Sequence, residues 1–250
     1  MRKKLLQIGV PAVCGVLLLI LTIAAPWKSG GKDTPVRVGT QGITESSLHR
    51  FYDLEDAILH SDLVADITIA SWLGENSYFL GQTYFNVKVN NVLKGAALEE
   101  FILVQEGNSK STVRNYPLFQ KGDRLLLFLN EYDGTTDEHT DFDTVYWIIG
   151  AYSTVMDIQS VDGTLYAIDR WGGMTSEDRG YHNEDGLYIE VIKPRHDLTT
   201  LDSATASRTI QRRDEADPVL AQMDNSRNRV LLYDEVLNYV QKINKGGTAE

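Results

Sequence analysis

The uninterrupted apolar run over residues 5–25 constrains this chain more than any other segment. It follows the basic residues Arg2, Lys3 and Lys4, and no charge recurs until Lys28. A helix of this length would measure about 31 Å, enough to cross a hydrocarbon core of about 30 Å. Because basic residues concentrate on the cytoplasmic side of a span, the pattern predicts a cytoplasmic N-terminus and an exported remainder.

The same segment could be an uncleaved anchor or a cleaved secretory signal. Signals typically have an apolar stretch of about 7–15 residues and small residues at the cleavage site. Residues 22–25 could be cut, but the run is long for a signal and Pro26 is unfavourable beside a cut. Trp27 is typical of the outer membrane interface. We therefore predict a single-pass anchor within residues 1–27 and a domain on the extracytoplasmic side, or a secreted protein if the segment is cleaved.

Charge and cysteine content narrow the class of the exported part. The chain has 35 acidic and 24 basic residues, a net charge of −11. Nucleic-acid binding typically requires a basic patch, so no nucleic-acid partner is expected. The only cysteine, Cys14, lies in the apolar run. The exported part therefore has no disulfide and depends on its hydrophobic core for stability.

Beyond the anchor, the chain divides into a linker, a β-rich domain and a C-terminal tail. Residues 28–44 are rich in Gly, Ser, Lys and Thr without an apolar period, which predicts a flexible linker. Residues 45–195 are predicted to form the main domain, and residues 196–250 a polar linker with a C-terminal amphipathic helix. Apolar residues every three or four positions predict a helix at the start of the main domain, capped by Ser46 or Ser47.

Alternating apolar and polar residues predict a series of strands in the main domain. They cover residues 62–72, 82–93, 101–105, 125–129, 145–158, 164–168 and 187–192. The apolar run at 125–129 is typical of a strand buried on both faces. Asp162-Gly163 is a two-residue hairpin signal, and Gly150 could bend the strand that contains it.

The C-terminal tail is predicted to be loop and then helix. Residues 197–217 are polar and are predicted to be loosely structured, whereas an apolar stripe predicts a helix over 226–244. That stripe could dock on the barrel or bind a partner. Arginines of the tail could pair with the acidic loop region, residues 131–143, or approach anionic envelope polymers. These are Arg208, Arg212, Arg213, Arg227 and Arg229.

Strands of uneven length behind a helix predict a mainly β fold with flanking helices, organised as a small OB-like antiparallel β-barrel. The ordered series SDLVADITI (61–69), TYFNVKVNNVLKG (83–95), KGDRLLLFL (121–129) and VDGTLYAI (161–168) resembles uncharacterised exported proteins of Gram-positive bacteria. Those proteins share this motif order on an OB-like barrel similar to the netrin and metalloprotease-inhibitor (TIMP-like) domain. The resemblance covers residues 45–170 and implies a barrel and an exported location, but it transfers no catalytic residue.

The acidic segment 131–143 is one candidate site. Asp137, Asp141 and Asp143 could supply the oxygen ligands that calcium prefers, although the spacing is not that of an EF-hand. No Lys or Arg lies between Arg124 and Arg170 to neutralise it. A solvated surface loop is the more ordinary interpretation of such a segment.

Aromatic residues on the predicted strands form the other candidate site. On an OB-like barrel they could create a binding face for sugars or extended peptides. They are Tyr84, Tyr146, Trp147, Tyr152, Tyr166 and Trp171. Each could equally pack in the barrel, and Phe85, on the face opposite Tyr84, is predicted to belong to the core.

No common catalytic motif is present, neither a nucleophile elbow, a zinc-protease helix nor a phosphate-binding loop. The sequence therefore favours a membrane-tethered extracytoplasmic interaction module that binds an envelope protein, peptide or polymer without catalysis. The alternatives are an envelope hydrolase that uses paired carboxylates among Asp137, Asp141 and Asp143, and a calcium-stabilised structural domain.

Overall fold

A computed structural model describes most of the chain beyond residue 51. The described residues are 52–77, 81–96, 99–113, 116–132, 144–175, 201–217, 220–222 and 228–246, with short pieces at 43–44, 181–182, 188–189 and 198. All of them belong to one unit, residues 33–250. The predicted anchor and nearly all of the predicted linker lie outside the described residues. Among the helices described, none is long and apolar enough to cross a membrane.

Strands dominate the described part of the chain. The strands are β1 (Ile43–Thr44), β2 (Leu63–Asn76), β3 (Gln82–Lys94), β4 (Glu100–Glu106), β5 (Thr112–Val113), β6 (Arg124–Glu131), β7 (Val145–Ile148), β8 (Val155–Val161), β9 (Thr164–Asp169), β10 (Tyr181–His182), β11 (Tyr188–Ile189) and β12 (Arg229–Leu232). The α-helices are α1 (Leu54–His60), α2 (Ser203–Ala216) and α3 (Tyr233–Asn244), and short 3₁₀ helices cover Ala151–Thr154 and Leu220–Gln222.

Five strands close into a small barrel in the order β2-β3-β4-β7-β6 and back to β2. Four of the pairings are antiparallel, whereas β4 and β7 are parallel, with Leu103 opposite Tyr146. A closed five-stranded barrel of this kind is compatible with an OB-like fold. The predicted barrel is therefore confirmed, but the prediction that it is wholly antiparallel is wrong. The long connection from β4 through β6 gives the chain room to re-enter alongside β4 in the same direction.

The sheet continues past the barrel through β6. Leu125–Leu127 pair with β8, while Leu129–Glu131 pair with β7. Strands β9 and β12 then extend the sheet beyond β8. The predicted strand at 145–158 is two strands, because Gly150 adopts a positive φ of 60° and starts a 3₁₀ turn between them. The predicted bend at Gly150 is confirmed.

Two apolar layers lie on opposite faces of the shared strands. Leu125, Leu127 and Leu129 belong to the barrel interior, whereas Leu126 and Phe128 belong to the layer beneath α1 and α3. All five side chains are fully buried. This double burial explains the continuous apolar run and confirms a strand covered on both faces.

The C-terminal helix docks on the sheet through its apolar stripe. The side chains buried there are those of Tyr233, Val236, Tyr239, Val240 and Ile243. The helix begins at Tyr233, so the predicted start at 226 is wrong. The four residues before it pair with β9 as β12, and that ladder satisfies their backbone groups.

Helix α2 contradicts the prediction that 197–217 is loosely structured. The Asp202 side chain caps it by accepting hydrogen bonds from the amides of Ala204 and Thr205, both at 3.0 Å. Only Thr209 and Arg213 are buried along the helix. Because α2 has almost no apolar face, the spacing of apolar residues in the sequence does not indicate a helix there. The helix cap Asp202 is the one local sign of the helix start.

The other local predictions have mixed outcomes. The Asp162-Gly163 hairpin is confirmed, with Val161 opposite Thr164 and positive φ angles of 51° and 82° at the two turn residues. The prediction of a helix at the start of the domain is confirmed, but the described helix begins at Leu54. Its cap is Asp53, whose carboxylate accepts from the amide of Asp56 at 2.7 Å.

Candidate functional site

The candidate site lies on the outer face of three barrel strands, β3, β4 and β7. The register places Tyr84 opposite Val104, and Val104 opposite Trp147, in one row across the strands. Successive strand residues alternate between faces, and the neighbours Phe85 and Tyr146 lie in the barrel interior. We call the surface that carries this row the β3–β4–β7 face. The predicted core position of Phe85 is confirmed.

A small pocket opens on this face at one end of the barrel. Its volume is about 50 Å³, and we call it the Trp147 pocket. Its lining comprises Gln82, Val104, Glu106, Tyr116, Tyr132 and Trp147, together with Ile148 and Ala151. Gln82 ends the β2–β3 connection, and Tyr132 begins the β6–β7 connection. In OB-like barrels, the face of the second and third strands and these two connections bind ligands.

Hydrogen bonds fix the amide of Gln82 at the pocket. The Tyr84 hydroxyl donates to Gln82 Oε1 at 2.9 Å, and Asn76 Nδ2 donates to the same oxygen at 3.0 Å. This arrangement turns Gln82 Nε2 toward the hydroxyl oxygen of Tyr132, at 3.5 Å. Tyr84 is only 3% exposed, so it supports the pocket from beneath rather than lining it.

Glu106 brings a partly buried carboxylate to the pocket. It ends β4 opposite Gln82, and among the residues that the structure describes it forms no hydrogen bond or ion pair through its side chain. Burial raises the pKa of Glu106 above its ordinary value. Burial likewise raises the pKa of the neighbouring Tyr116 phenol. The pocket therefore combines an acceptor group with aromatic walls.

Trp147 is the accessible aromatic residue of the pocket. Its side chain is 40% exposed, whereas most of the large apolar side chains described are buried. Trp72 on β2 has a similar exposure of 38% but does not line the pocket. Exposed tryptophan beside a concave polar site is typical of ligand-binding surfaces.

The structure brings together two of the six aromatic residues predicted to bind ligand, Tyr84 and Trp147. Tyr146 lies on the opposite side of β7, where its ring meets Phe101 edge-on at 5.0 Å between centroids. Burial, followed by the nearby carboxylate of Glu131, raises the pKa of Tyr146. Tyr146 therefore belongs to the barrel interior and not to the β3–β4–β7 face.

The remaining predicted ligand residues lie elsewhere. Tyr166 is on β9 opposite Gln159, in the sheet extension. Trp171 packs against the apolar interior of the barrel. Tyr152 is in the turn after β7, and its side chain lies outside the described part. A role of these three residues in binding stays a prediction.

The predicted metal ligands Asp137, Asp141 and Asp143 lie in residues 133–143, outside the described residues. Within the described part of the chain, no three His, Cys, Asp or Glu side chains are grouped to hold a metal ion. Calcium binding by the acidic segment stays a prediction.

A buried ionic cluster lies under α2, away from the Trp147 pocket. Asp157 accepts from Arg170 Nη2 at 2.6 Å and from Arg213 Nη1 at 3.3 Å. Burial opposes the charge of Arg170, but the Asp157 carboxylate outweighs it and holds the pKa of Arg170 above its ordinary value. The pairing of a tail arginine with the acidic loop region stays a prediction, since Asp157, the partner of Arg213, lies on β8 outside that loop. A polar cleft of about 320 Å³ adjoins this cluster, between residues 120–124 and the end of α2.

A second buried carboxylate, Asp66, connects three elements of the fold. It accepts from Arg124 Nε at 3.0 Å, from Arg124 Nη2 at 2.6 Å and from Asn90 Nδ2 at 3.0 Å. The Tyr233 hydroxyl also donates to it, and the Arg124 guanidinium lies 5.6 Å from the centre of the Tyr233 ring. Asp66 thereby joins the first residue of α3 to the sheet.

Three pocket residues escaped the sequence analysis: Gln82, Glu106 and Tyr132. Each lies at the end of a strand, where alternation weakens and turn residues follow. Gln82 lies two residues before Tyr84 and therefore faces the same side of β3, a relation that the alternation of strand residues could have indicated. Placing Glu106 beside Gln82 requires the register between β3 and β4, which no local sequence pattern encodes.

Comparisons with protein-family models, curated proteins and solved structures give no match. The assignment of function therefore rests on the geometry and chemistry of the chain itself.

Proposed function

We propose that the protein is an extracytoplasmic interaction module, tethered by residues 5–25, that binds an envelope protein, peptide or polymer without catalysis. The supporting observation is the exposed Trp147 beside a pocket on the β3–β4–β7 face. Tryptophan is enriched among the residues that dominate binding energy, especially where it adjoins a pocket. Two connections flank this face in the way that ligand-binding connections flank other OB-like barrels.

The envelope location is supported by the sequence. The basic start and apolar run favour an exported, membrane-attached protein. The resemblance to exported Gram-positive proteins with TIMP-like barrels favours the same compartment. An acidic domain outside the membrane would meet cationic groups of proteins and polymers there, and its net charge would attract them.

Two buried carboxylates are engaged within the fold. Asp66 and Asp157 each accept charge-assisted hydrogen bonds from arginine, and neither lines the Trp147 pocket. A hydrolase built on Asp137, Asp141 or Asp143 is the alternative function, and substitution of each by Asn would test it.

A capture experiment tests the proposal. The full-length protein in detergent is immobilised and titrated with solubilised envelope extract of the source organism, and bound protein and carbohydrate are quantified. We expect one dominant, saturable component. Because a tryptophan hot spot contributes about 2 kcal/mol or more, Trp147→Ala should weaken its capture by about thirty-fold.

Trp72→Ala is the matched control, since Trp72 is equally exposed on another strand of the same barrel. It should leave capture unchanged. Equal capture by wild type and Trp147→Ala would contradict the proposal. A defined turnover of envelope substrates by the purified protein would contradict its non-catalytic part.

A further inference from the structure

We propose that the Trp147 pocket binds a primary ammonium group, presented by a lysine side chain of a protein or peptide partner. This inference rests on the proposed function, because it names the chemistry recognised on the same face. It draws on the size of the pocket, its acceptor groups, its aromatic lining and the charge of the chain.

The size of the pocket selects a compact group. One water needs about 10–15 Å³ of cavity volume, so a pocket of about 50 Å³ has room for a head group of only a few heavy atoms. Sites for drug-sized ligands are typically about 300–1,000 Å³. A sugar ring or an aromatic side chain is therefore too large to enter, whereas an ammonium and its first methylene fit.

The acceptors of the pocket select a cation that donates hydrogen bonds. The Glu106 carboxylate is partly buried and has no hydrogen bond or ion pair among the described residues. Partial burial makes the charged form of the carboxylate costly, so a cation that pairs with it gains more than it would from an exposed pair. The hydroxyl oxygen of Tyr132 is the second acceptor. Gln82 Oε1 already accepts two hydrogen bonds and is not available as a third.

The aromatic lining favours a positive charge. Trp147, Tyr132 and Tyr116 all line the pocket with Glu106. Cations are attracted to aromatic faces, most strongly to tryptophan, and the interaction strengthens when the cation loses water. The chain also carries a net charge of −11, and the residues that follow Tyr132 include several carboxylates and no Lys or Arg. This charge would raise the local concentration of cationic partners.

Two other cations match the pocket less well. A guanidinium is planar, has four heavy atoms and takes up more of the pocket than an ammonium does. A quaternary ammonium has no N–H group to donate to Glu106 and Tyr132. The lysine ammonium is compact and has three donors.

Nuclear magnetic resonance of the full-length, ¹⁵N-tryptophan-labelled protein in detergent tests the inference. The chain has four tryptophans, and Trp147→Phe identifies the indole signal of Trp147. We expect Nα-acetyl-lysine methylamide to shift that signal saturably, and the norleucine analogue, which lacks the ammonium, to cause no saturable shift. Arginine and tetramethylammonium probes should bind more weakly than lysine.

Glu106→Gln keeps the shape of the side chain and should weaken lysine binding at least tenfold. Glu100→Gln is the matched control, because Glu100 lies on the same strand but is exposed and outside the pocket. Binding should also weaken on acidification from a pH above the usual carboxylate range, since burial raises the pKa of Glu106. Tyr116 and Tyr132 are the other titratable groups that line the pocket, and burial raises the pKa of Tyr116.

Equal binding of lysine and norleucine probes would overturn the inference, as would unchanged binding by Glu106→Gln or a preference for tetramethylammonium or arginine. The two proposals fail separately. If Trp147→Ala abolishes partner capture but the lysine probe neither binds nor competes, the ligand face stands and the ammonium assignment falls. If the lysine probe binds but capture ignores Trp147, the proposed function falls.

Discussion

At the scale of single residues, two of the buried aspartates, Asp66 and Asp157, form ion pairs with arginines. Asp157 is 6% exposed and pairs with two buried arginines, Arg170 and Arg213. Asp66 is fully buried and contacts β3, β6 and α3. Removing one partner from such a cluster leaves a buried charge with less compensation, which lowers the free energy of unfolding strongly.

Asp157→Asn should therefore destabilise the protein by about 3–5 kcal/mol, because it removes the carboxylate that the buried Arg170 and Arg213 share, while Asp214 still pairs with Arg213. Arg213→Met should cost less, because Asp157 and Arg170 remain a matched pair and methionine fills part of the space. Urea unfolding of both variants checks the order. An Arg213→Met variant less stable than Asp157→Asn would contradict this description of the cluster.

Alkaline pH tests the buried phenols of Tyr116 and Tyr233. Burial raises the pKa of both, and at Tyr233 the hydrogen bond to Asp66 adds to the effect. The unfolded chain loses these protons near pH 10 while the native protein keeps them, so stability falls as the pH rises above about 10. Each such tyrosine contributes up to about 1.4 kcal/mol per pH unit. Tyr116→Phe should flatten this decline in urea unfolding between about pH 9 and about pH 11. An unchanged slope would contradict it.

At the scale of elements, the motifs behind the resemblance have structural roles. In the VLKG motif, Lys94 Nζ donates to the carbonyls of Ile58 and Leu59 at the end of α1, at 2.7 and 3.1 Å. Gly95 has a φ of 96°, and a Cβ there would meet the carbonyl oxygen of Asp62 at 2.5 Å. In the G-D-R motif, Arg124 forms the ion pair with Asp66. These motifs therefore specify the barrel and say little about its ligand.

The β8–β9 hairpin gives a prediction about backbone strain. Gly163 has a φ of 82°, and a Cβ there would contact nothing within 4 Å. Gly163→Ala should therefore destabilise the protein by about 1 kcal/mol through the left-handed backbone alone. Ser160→Ala on the same hairpin is exposed and should change the free energy of unfolding by less than about 0.5 kcal/mol. Equal effects in urea unfolding would contradict the turn assignment.

The elements that the sequence predicted are those with a strong local pattern. Alternation located β3, the apolar run located β6, and Asp162-Gly163 located the hairpin. Helix α2 was missed because ion pairs rather than an apolar stripe hold it on the sheet. The parallel pairing of β4 with β7 was missed because strand direction depends on contacts between segments far apart in the chain.

At the scale of the whole molecule, the candidate site depends on register rather than on composition. Trp147 and Tyr84 share a face only because β4 lies between their strands, and Tyr146 is turned inward by its neighbouring position. The sequence identified the right class of residue but could not separate inward from outward members, because both faces of these strands carry aromatic side chains. Glu106 lines the same pocket as Gln82 and Trp147 because β4 pairs with β3 on one side and with β7 on the other.

Membrane attachment gives a prediction for the intact protein. Because residues 5–25 are long and apolar enough to span a bilayer, the full-length protein should remain in the membrane fraction after alkaline carbonate washing. External protease should digest the domain in intact spheroplasts, because the basic start predicts a cytoplasmic N-terminus and an external domain. Release of the protein into the medium, with a new N-terminus near residue 25, would show cleavage instead.

We propose above all that the β3–β4–β7 face binds an envelope component in the cell. Site-specific photo-crosslinking checks this binding, with a photoreactive amino acid replacing either Trp147 or Trp72 in the full-length protein in its source organism. We predict one dominant crosslinked product from position 147 and none of that mass from position 72. The absence of a product at 147, or the same product at both positions, would contradict a ligand-binding role for this face.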